Sequence, residues 1–156
     1  MYGLPGQSVA SVIATARQAA SLAPDRLAVF GYAHVPWFKK HQRMIADVDL
    51  PGVAARYDQA RAIEAELVAA GYAPIGLDHF SRADDSLAAA ARAGTLRRNF
   101  QGYTTDAAGA LLSFGASAIS EFPAGFVQAA RDVLAWSEHV AAGRNPTSRG
   151  LIRGAE

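Results

Sequence analysis

The chain predicts an α/β fold with a parallel sheet, because three features recur along it. Apolar residues repeat at helical spacing in several alanine-rich stretches; short, nearly continuous apolar runs stand between those stretches; glycine, proline and aspartate separate the two. That alternation is the pattern of βα units, whose strands are covered on both faces. Polar residues sit just past the apolar runs, where such folds place ligand chemistry.

Taken in order, the turn "YGLPGQ" (2–7) precedes Ser8, a helix N-cap. Val9, Val12, Ile13, Ala16, Ala19 and Ala20 then predict a helix over Val9–Leu22, which Pro24 ends. "RLAVFGYA" (Arg26–Ala33) predicts a strand with His34 just past its end. "WFKKHQRMI" (37–45) fits either a short helix or an ordered loop, and "DVDLPG" (47–52) is the next break. Ala60, Ile63, Leu67 and Ala70 predict a helix from Val53 to Ala70, closed by Gly71. "YAPIGLDHF" (Tyr72–Phe80) reads as a second strand ending in Asp78 and His79. Asp84 or Asp85 caps the helix "SLAAAARAG", which Gly94 closes. Ala110–Ser120 predicts a helix turn feeding a third strand, Phe126–Gly143 the last helix, and residues 144–156 a polar, basic tail.

With 15 Lys+Arg against 14 Asp+Glu in 156 residues, the net charge of +1 supplies no field of the kind that drives non-specific binding to nucleic acid or to a membrane surface. Neither partner is expected. No stretch approaches the ~20 apolar residues of a membrane span, and "MYGLPGQS" has no signal-peptide pattern. The cysteine count of zero excludes disulfides, a thiol nucleophile and any Cys-ligated metal or iron–sulfur cluster supplied by this chain alone.

His34, His41 and His79 lack the close spacing of metal motifs, so no metal site is expected among them. "GLPGQ" lacks the lysine and hydroxyl residue of a phosphate loop and reads as a turn. Asp78 and His79 could pair as orienter and base, but adjacent strand residues point to opposite faces, so no dyad is expected. Arg82, Arg97 and Arg98 form the most suggestive charge group, since guanidinium forks recognise carboxylates and phosphates; a solvated loop is the plainer reading. "FQGY" could set an aromatic face and an amide beside a flat ligand, or simply be a packed turn.

"YGLPGQS" (2–8), "DRLAVFGYAHVPW" (25–37), "GYAPIGLDHFSRADDSLAAAARAGTLRRNFQGYTT" (71–105) and "LLSFGASAIS" (111–120) together resemble the oxygen-independent coproporphyrinogen III oxidases, radical S-adenosylmethionine enzymes of haem biosynthesis. The resemblance runs in order over nearly the whole chain. It implies the second half of a partial (β/α) barrel with parallel strands over residues 1–143, in a cytoplasmic enzyme. It implies two S-adenosylmethionine molecules and a 4Fe–4S cluster as cofactors, with oxidative decarboxylation of two propionates of coproporphyrinogen III to vinyl groups. Carried over by motif, Ala33 of "YAH" resembles a backbone contact to the second S-adenosylmethionine, and Ile119 of "SAIS" a contact to the cluster-bound one. Phe100 and Gln101 of "NFQGY" resemble residues lining the cofactor cavity, and a tetracarboxylate substrate would suit Arg82, Arg97 and Arg98. The family's Cys-x-x-x-Cys-x-x-Cys motif belongs to the first half of the barrel, and a helical C-terminal domain is expected after residues 144–156. On this reading both partners lie outside the chain, which alone is expected to be inactive. A haem chaperone of the same superfamily, or a non-catalytic half-barrel binding protein, are the alternative functions.

Overall fold

A computed structural model describes residues 1–154. The chain is α/β and divides into two compact units, Met1–Leu96 and Arg97–Glu156.

In the first unit, α1 (Val9–Ser21) begins at Ser8, whose hydroxyl accepts the Ser11 N–H while the Ser11 hydroxyl accepts the Ser8 N–H, a reciprocal cap that satisfies two end donors. Then come β1 (Arg26–Ala28), α2 (Val53–Ala69), β2 (Tyr72–Gly76), β3 (His79–Arg82) and α3 (Ser86–Arg92). Two short 3-10 turns, Lys40–Met44 and Asp47–Asp49, lie in the connection between β1 and α2. The core is one cluster in which Val12 and Ala16 of α1, Ile63 and Leu67 of α2, Tyr72 of β2 and Phe80 of β3 are buried together. Phe80 and its neighbour Ser81 point to opposite faces of β3, and both are buried, so this strand is covered on each side. α3 packs against β2 and β3 and buries Leu87, Ala88 and Ala90.

The expected parallel sheet is not what the named strands form. Their order is β1-β3-β2 with every pairing antiparallel, and the parallel pairing is a single bridge, Tyr2 to Gly31. The apolar run Tyr72–Phe80, read as one strand, is a hairpin: Gly76 faces His79 across the two-residue turn Leu77–Asp78, with Leu77 left-handed at φ +43°. A connection that short can join only antiparallel strands, because a parallel crossover needs a dozen residues or more.

In the second unit, β4 (Arg97–Asn99) and β5 (Gly102–Thr104) form a hairpin. β6 (Ile119–Phe122), β7 (Gly125–Ala129) and β8 (Thr147–Ile152) form an antiparallel sheet in that order, and α4 (Val133–Ala141) joins β7 to β8. Two expectations are corrected here. The helix predicted over Phe126–Gly143 is a strand followed by a shorter helix, because Pro123–Ala124 turns the chain so that Gly125–Ala129 gains backbone partners on both edges. Asp132 then caps α4 by accepting the Ala135 N–H. The predicted tail, 144–156, contributes β8, whose pairing with β7 supplies partners for its backbone. Ala110–Ser120 is irregular up to Ile119, with Leu111 bridged to Glu121.

Gly125 is where the tertiary structure demands glycine. Its φ is +149°, and a Cβ there would stand 2.0 Å from the Leu151 carbonyl oxygen.

Candidate functional site

In the first unit the residues past β1 are held by a set of polar contacts. Tyr2 holds this segment as a parallel neighbour: its N–H donates to Phe30 O at 3.0 Å, and its carbonyl accepts the Tyr32 N–H at 2.7 Å. The carbonyl of Tyr32 accepts Arg56 Nη2–H at 2.8 Å, and the carbonyl of Ala33 accepts Gln42 Nε2–H at 3.1 Å. Tyr32 Oη lies 3.2 Å from His34 Nδ1, and His34 Nε2 lies 3.1 Å from Asp47 Oδ1. A neutral ring with its proton on Nε2 satisfies both contacts, donating to Asp47 and accepting from Tyr32. α2 supplies Arg56 and, one turn on, Gln59, a 1 %-exposed side chain whose Oε1 accepts the Gly3 N–H at 2.9 Å and whose Nε2–H donates to Gln7 O at 2.7 Å. The "YGLPGQ" turn is therefore pinned to α2 from inside the unit.

Asp78 and His79 do meet, at 2.9 Å between Oδ1 and Nδ1, against the expectation from strand geometry. Asp78 lies in the turn rather than in a strand, so the alternation of faces does not apply to it. The Phe30 ring meets the His79 ring edge-on at 5.8 Å.

Arg82 lies at the end of β3, where its N–H donates to Asp25 O, ahead of β1, whereas Ala33 lies beyond the other end of β1. Its guanidinium Nε–H donates to Asp84 at 3.2 Å, which holds the Asp84 carboxyl below the usual range and raises Arg82. Arg82 is thus occupied by a neighbour and separated from Ala33 along the strand.

In the second unit, Arg97 and Arg98 are consecutive in β4 and so project to opposite faces, which prevents both from gripping one carboxylate from the same side. The Arg98 guanidinium lies 5.5 Å from the centre of the Tyr103 ring, its cross-strand partner. Neither arginine makes an ion pair among the described residues. A hollow of about 130 Å³ beside them is also lined by Asp106 and Glu121, so it is of mixed charge. Phe100 and Gln101 form the tip of the β4–β5 hairpin, where the Gln101 N–H donates to Asn99 Oδ1 at 2.8 Å. The Phe100 ring, 56 % exposed, meets Phe126 edge-on at 4.9 Å, and Ile119 opens β6 opposite Gln128.

Sequence reasoning passed over Arg56, Gln42 and Gln59. Gln59, Ile63 and Leu67 fall at i, i+4 and i+8, so the glutamine stands on the buried stripe of its helix, and a polar residue at that register was the available signal. Gln42 sits in a stretch whose local pattern was ambiguous.

The chain supplies no cysteine, and no group of three or more His, Cys, Asp or Glu side chains among the described residues is placed to hold a metal ion. An iron–sulfur cluster therefore does not fit the residues present. Ala33 is exposed, and its N–H has no acceptor among the described residues. No helix among these residues is long and apolar enough to cross a membrane.

No family model matches the chain. It is 57% identical over 150 residues to an oxygen-independent coproporphyrinogen III oxidase of Bradyrhizobium diazoefficiens, a match covering 96% of this chain and 33% of the relative. It is 43% identical over 151 residues to the protein of the same name from Escherichia coli K12, covering 97% of this chain and 33% of that one. A solved structure described as "Coproporphyrinogen III oxidase (HemN) from Escherichia coli is a Radical SAM enzyme" superposes with a TM-score of 0.91 at 42% identity, over 98% of this chain and 35% of its own. The chain thus corresponds, in sequence and in fold, to about a third of an oxygen-independent coproporphyrinogen III oxidase.

Proposed function

We propose that this chain is the later part of the barrel of an oxygen-independent coproporphyrinogen III oxidase, residues 1–143 forming that part. The complete protein would convert two propionates of coproporphyrinogen III to vinyl groups, with loss of carbon dioxide from each, giving protoporphyrinogen IX. The observation that carries the reading is the 57% identity sustained over 150 of the 156 residues, a match that reaches into both units. Bound S-adenosylmethionine would supply the radical that removes a hydrogen atom from the substrate. The part assigned to this chain is recognition: Ala33 by its backbone at a second S-adenosylmethionine, Ile119 at the first, and Phe100 with Gln101 as a wall of the cavity. Arg97 and Arg98, free of ion pairs among the described residues, would meet the carboxylates of a tetracarboxylate substrate one at a time. Arg82 would meet such a carboxylate by exchanging its exposed partner Asp84. Cluster ligands must come from elsewhere, and the site of action would be the cytoplasm.

The test is a chimera in which this chain replaces the matching third of the Escherichia coli protein. Conversion of coproporphyrinogen III to protoporphyrinogen IX is expected. A folded chimera that holds its cluster and cleaves S-adenosylmethionine yet leaves coproporphyrinogen III unchanged would refute the proposal. The isolated chain, reconstituted with iron and sulfide, should develop no cluster absorbance, because it offers no thiolate.

A further inference from the structure

Ala33 lies between two peptide groups that are each held by a side chain. The Tyr32 carbonyl, which accepts Arg56 Nη2–H at 2.8 Å, belongs to the same planar peptide as the Ala33 N–H. The Ala33 carbonyl, which accepts Gln42 Nε2–H at 3.1 Å, belongs to the next peptide, and Gln42 Oε1 accepts the Val35 N–H at 2.6 Å from the one after. Gln42 therefore closes a ring around residues 33–35, and Arg56 fixes the plane that carries the amide.

Arg56 is placed for this task. It makes no ion pair among the described residues, so its charge is directed at a backbone carbonyl. Two glycines make the room it occupies: a Cβ at Gly3 would stand 3.0 Å from its Nε, and a Cβ at Gly31 would stand 3.0 Å from its Nη2. A cationic donor on a carbonyl also polarises the peptide and strengthens the N–H on its other side as a donor. Yet the Ala33 N–H donates to nothing among the described residues, and the residue is exposed.

We infer that Arg56 and Gln42 are positioning residues that preset the Ala33 N–H as a hydrogen-bond donor to a bound ligand, which is S-adenosylmethionine on the reading above, on which this inference rests. Neither side chain touches the ligand in this arrangement. Each acts by removing the freedom of a peptide plane, so that binding does not have to order it.

The experiment is a titration of the isotope-labelled chain with S-adenosylmethionine, following the Ala33 amide by NMR, in the unsubstituted protein and in R56A, R56K and Q42E. Q42E keeps an oxygen for the Val35 N–H but loses the donor to Ala33 O, and it lies in a connection outside the core, so folding should survive. A saturable shift of the Ala33 amide is expected in the unsubstituted chain, with about tenfold weaker apparent affinity in R56A and Q42E. R56K, which retains a cationic donor, should recover most of that loss, a rescue that removal of bulk alone would not give. A shift in the unsubstituted chain with unchanged affinity in both R56A and Q42E overturns the positioning role. No response of Ala33 in the unsubstituted chain overturns the assignment of that residue to S-adenosylmethionine and the inference with it, and this failure is recognised before any substitution is made.

Discussion

Replacing Gln59 by leucine isolates what a single buried polar side chain contributes to the first unit. Gln59 is 1 % exposed and bridges two backbone groups of the opening turn, the Gly3 N–H and the Gln7 carbonyl. Leucine has a similar volume, so the substitution leaves packing nearly intact and removes both bonds. The Gly3 N–H lies in a buried contact and loses its acceptor outright, a loss of about 1–3 kcal/mol. The Gln7 carbonyl is half-buried and can take a water, so it adds less, and the apolar gain of leucine offsets a fraction. The net destabilisation should be about 2 kcal/mol, read as a lower midpoint of chemical denaturation at unchanged slope. Hydrogen exchange at Gly3 should accelerate more than exchange at Leu67. Glutamate at the same position keeps an acceptor for Gly3 but buries a charge against the Gln7 carbonyl, and it should be at least as harmful. A loss below about 0.5 kcal/mol in both variants would refute the idea that Gln59 holds the turn.

Leu67→Ala, at a 2 %-exposed position among Val12, Ile63 and Phe80, should destabilise the first unit by about 2–5 kcal/mol in thermal or chemical melts. Gly125→Ala sets a Cβ 2.0 Å from the Leu151 carbonyl at a φ of +149°, so it should part β7 from β8; loss of exchange protection at Phe126, whose N–H faces Leu151 across that pairing, with protection at Leu67 retained, is the expected readout. Asp85 caps α3 by accepting the Leu87 N–H and pairs with Arg26 at 2.9 Å. Burial pushes its carboxyl up, but the Arg26 hydrogen bond, the Leu87 N–H and the Arg26 charge outweigh that and hold it below the ordinary aspartate value of about 3.9. Its contribution is therefore complete above that ordinary value and is lost as pH falls through the lower folded-state value, so D85N should flatten the acid limb of the stability profile.

Local chemistry was legible wherever it acted locally. The Ser8 cap, the helix stop before Pro24, the Ile63 and Leu67 stripe and the Asp85 cap all stand close to where residue patterns put them. Register and pairing were less so. Tyr72–Leu77 carries no charged residue, so the stretch up to Phe80 reads as one strand, and nothing in the side chain of Leu77 marks it as the left-handed residue of a turn. Phe126–Gly143 carries helical spacing throughout, yet its first residues are taken by two strand neighbours, one of them in the stretch read as a tail. In the candidate site, the motif residues Ala33, Phe100, Gln101 and Ile119 could be named from the sequence, but Arg56 and Gln42 could not. Their partners are 24 and 9 positions away in the chain, and each partner is a carbonyl that every residue possesses.

By itself, then, the sequence determined the α/β class, most helix boundaries, the motifs of the family and the absence of any thiolate for a cluster. Those follow from side-chain identity and from contacts within a few residues. Only the tertiary structure decided which edges of the short strands pair, that Asp78 meets His79, that Arg82 is held by Asp84 at the far end of β1, and that Ala33 lies between two clamped peptides. Those depend on backbone groups that are identical at every position, and such groups acquire partners only when distant segments are brought within hydrogen-bonding reach.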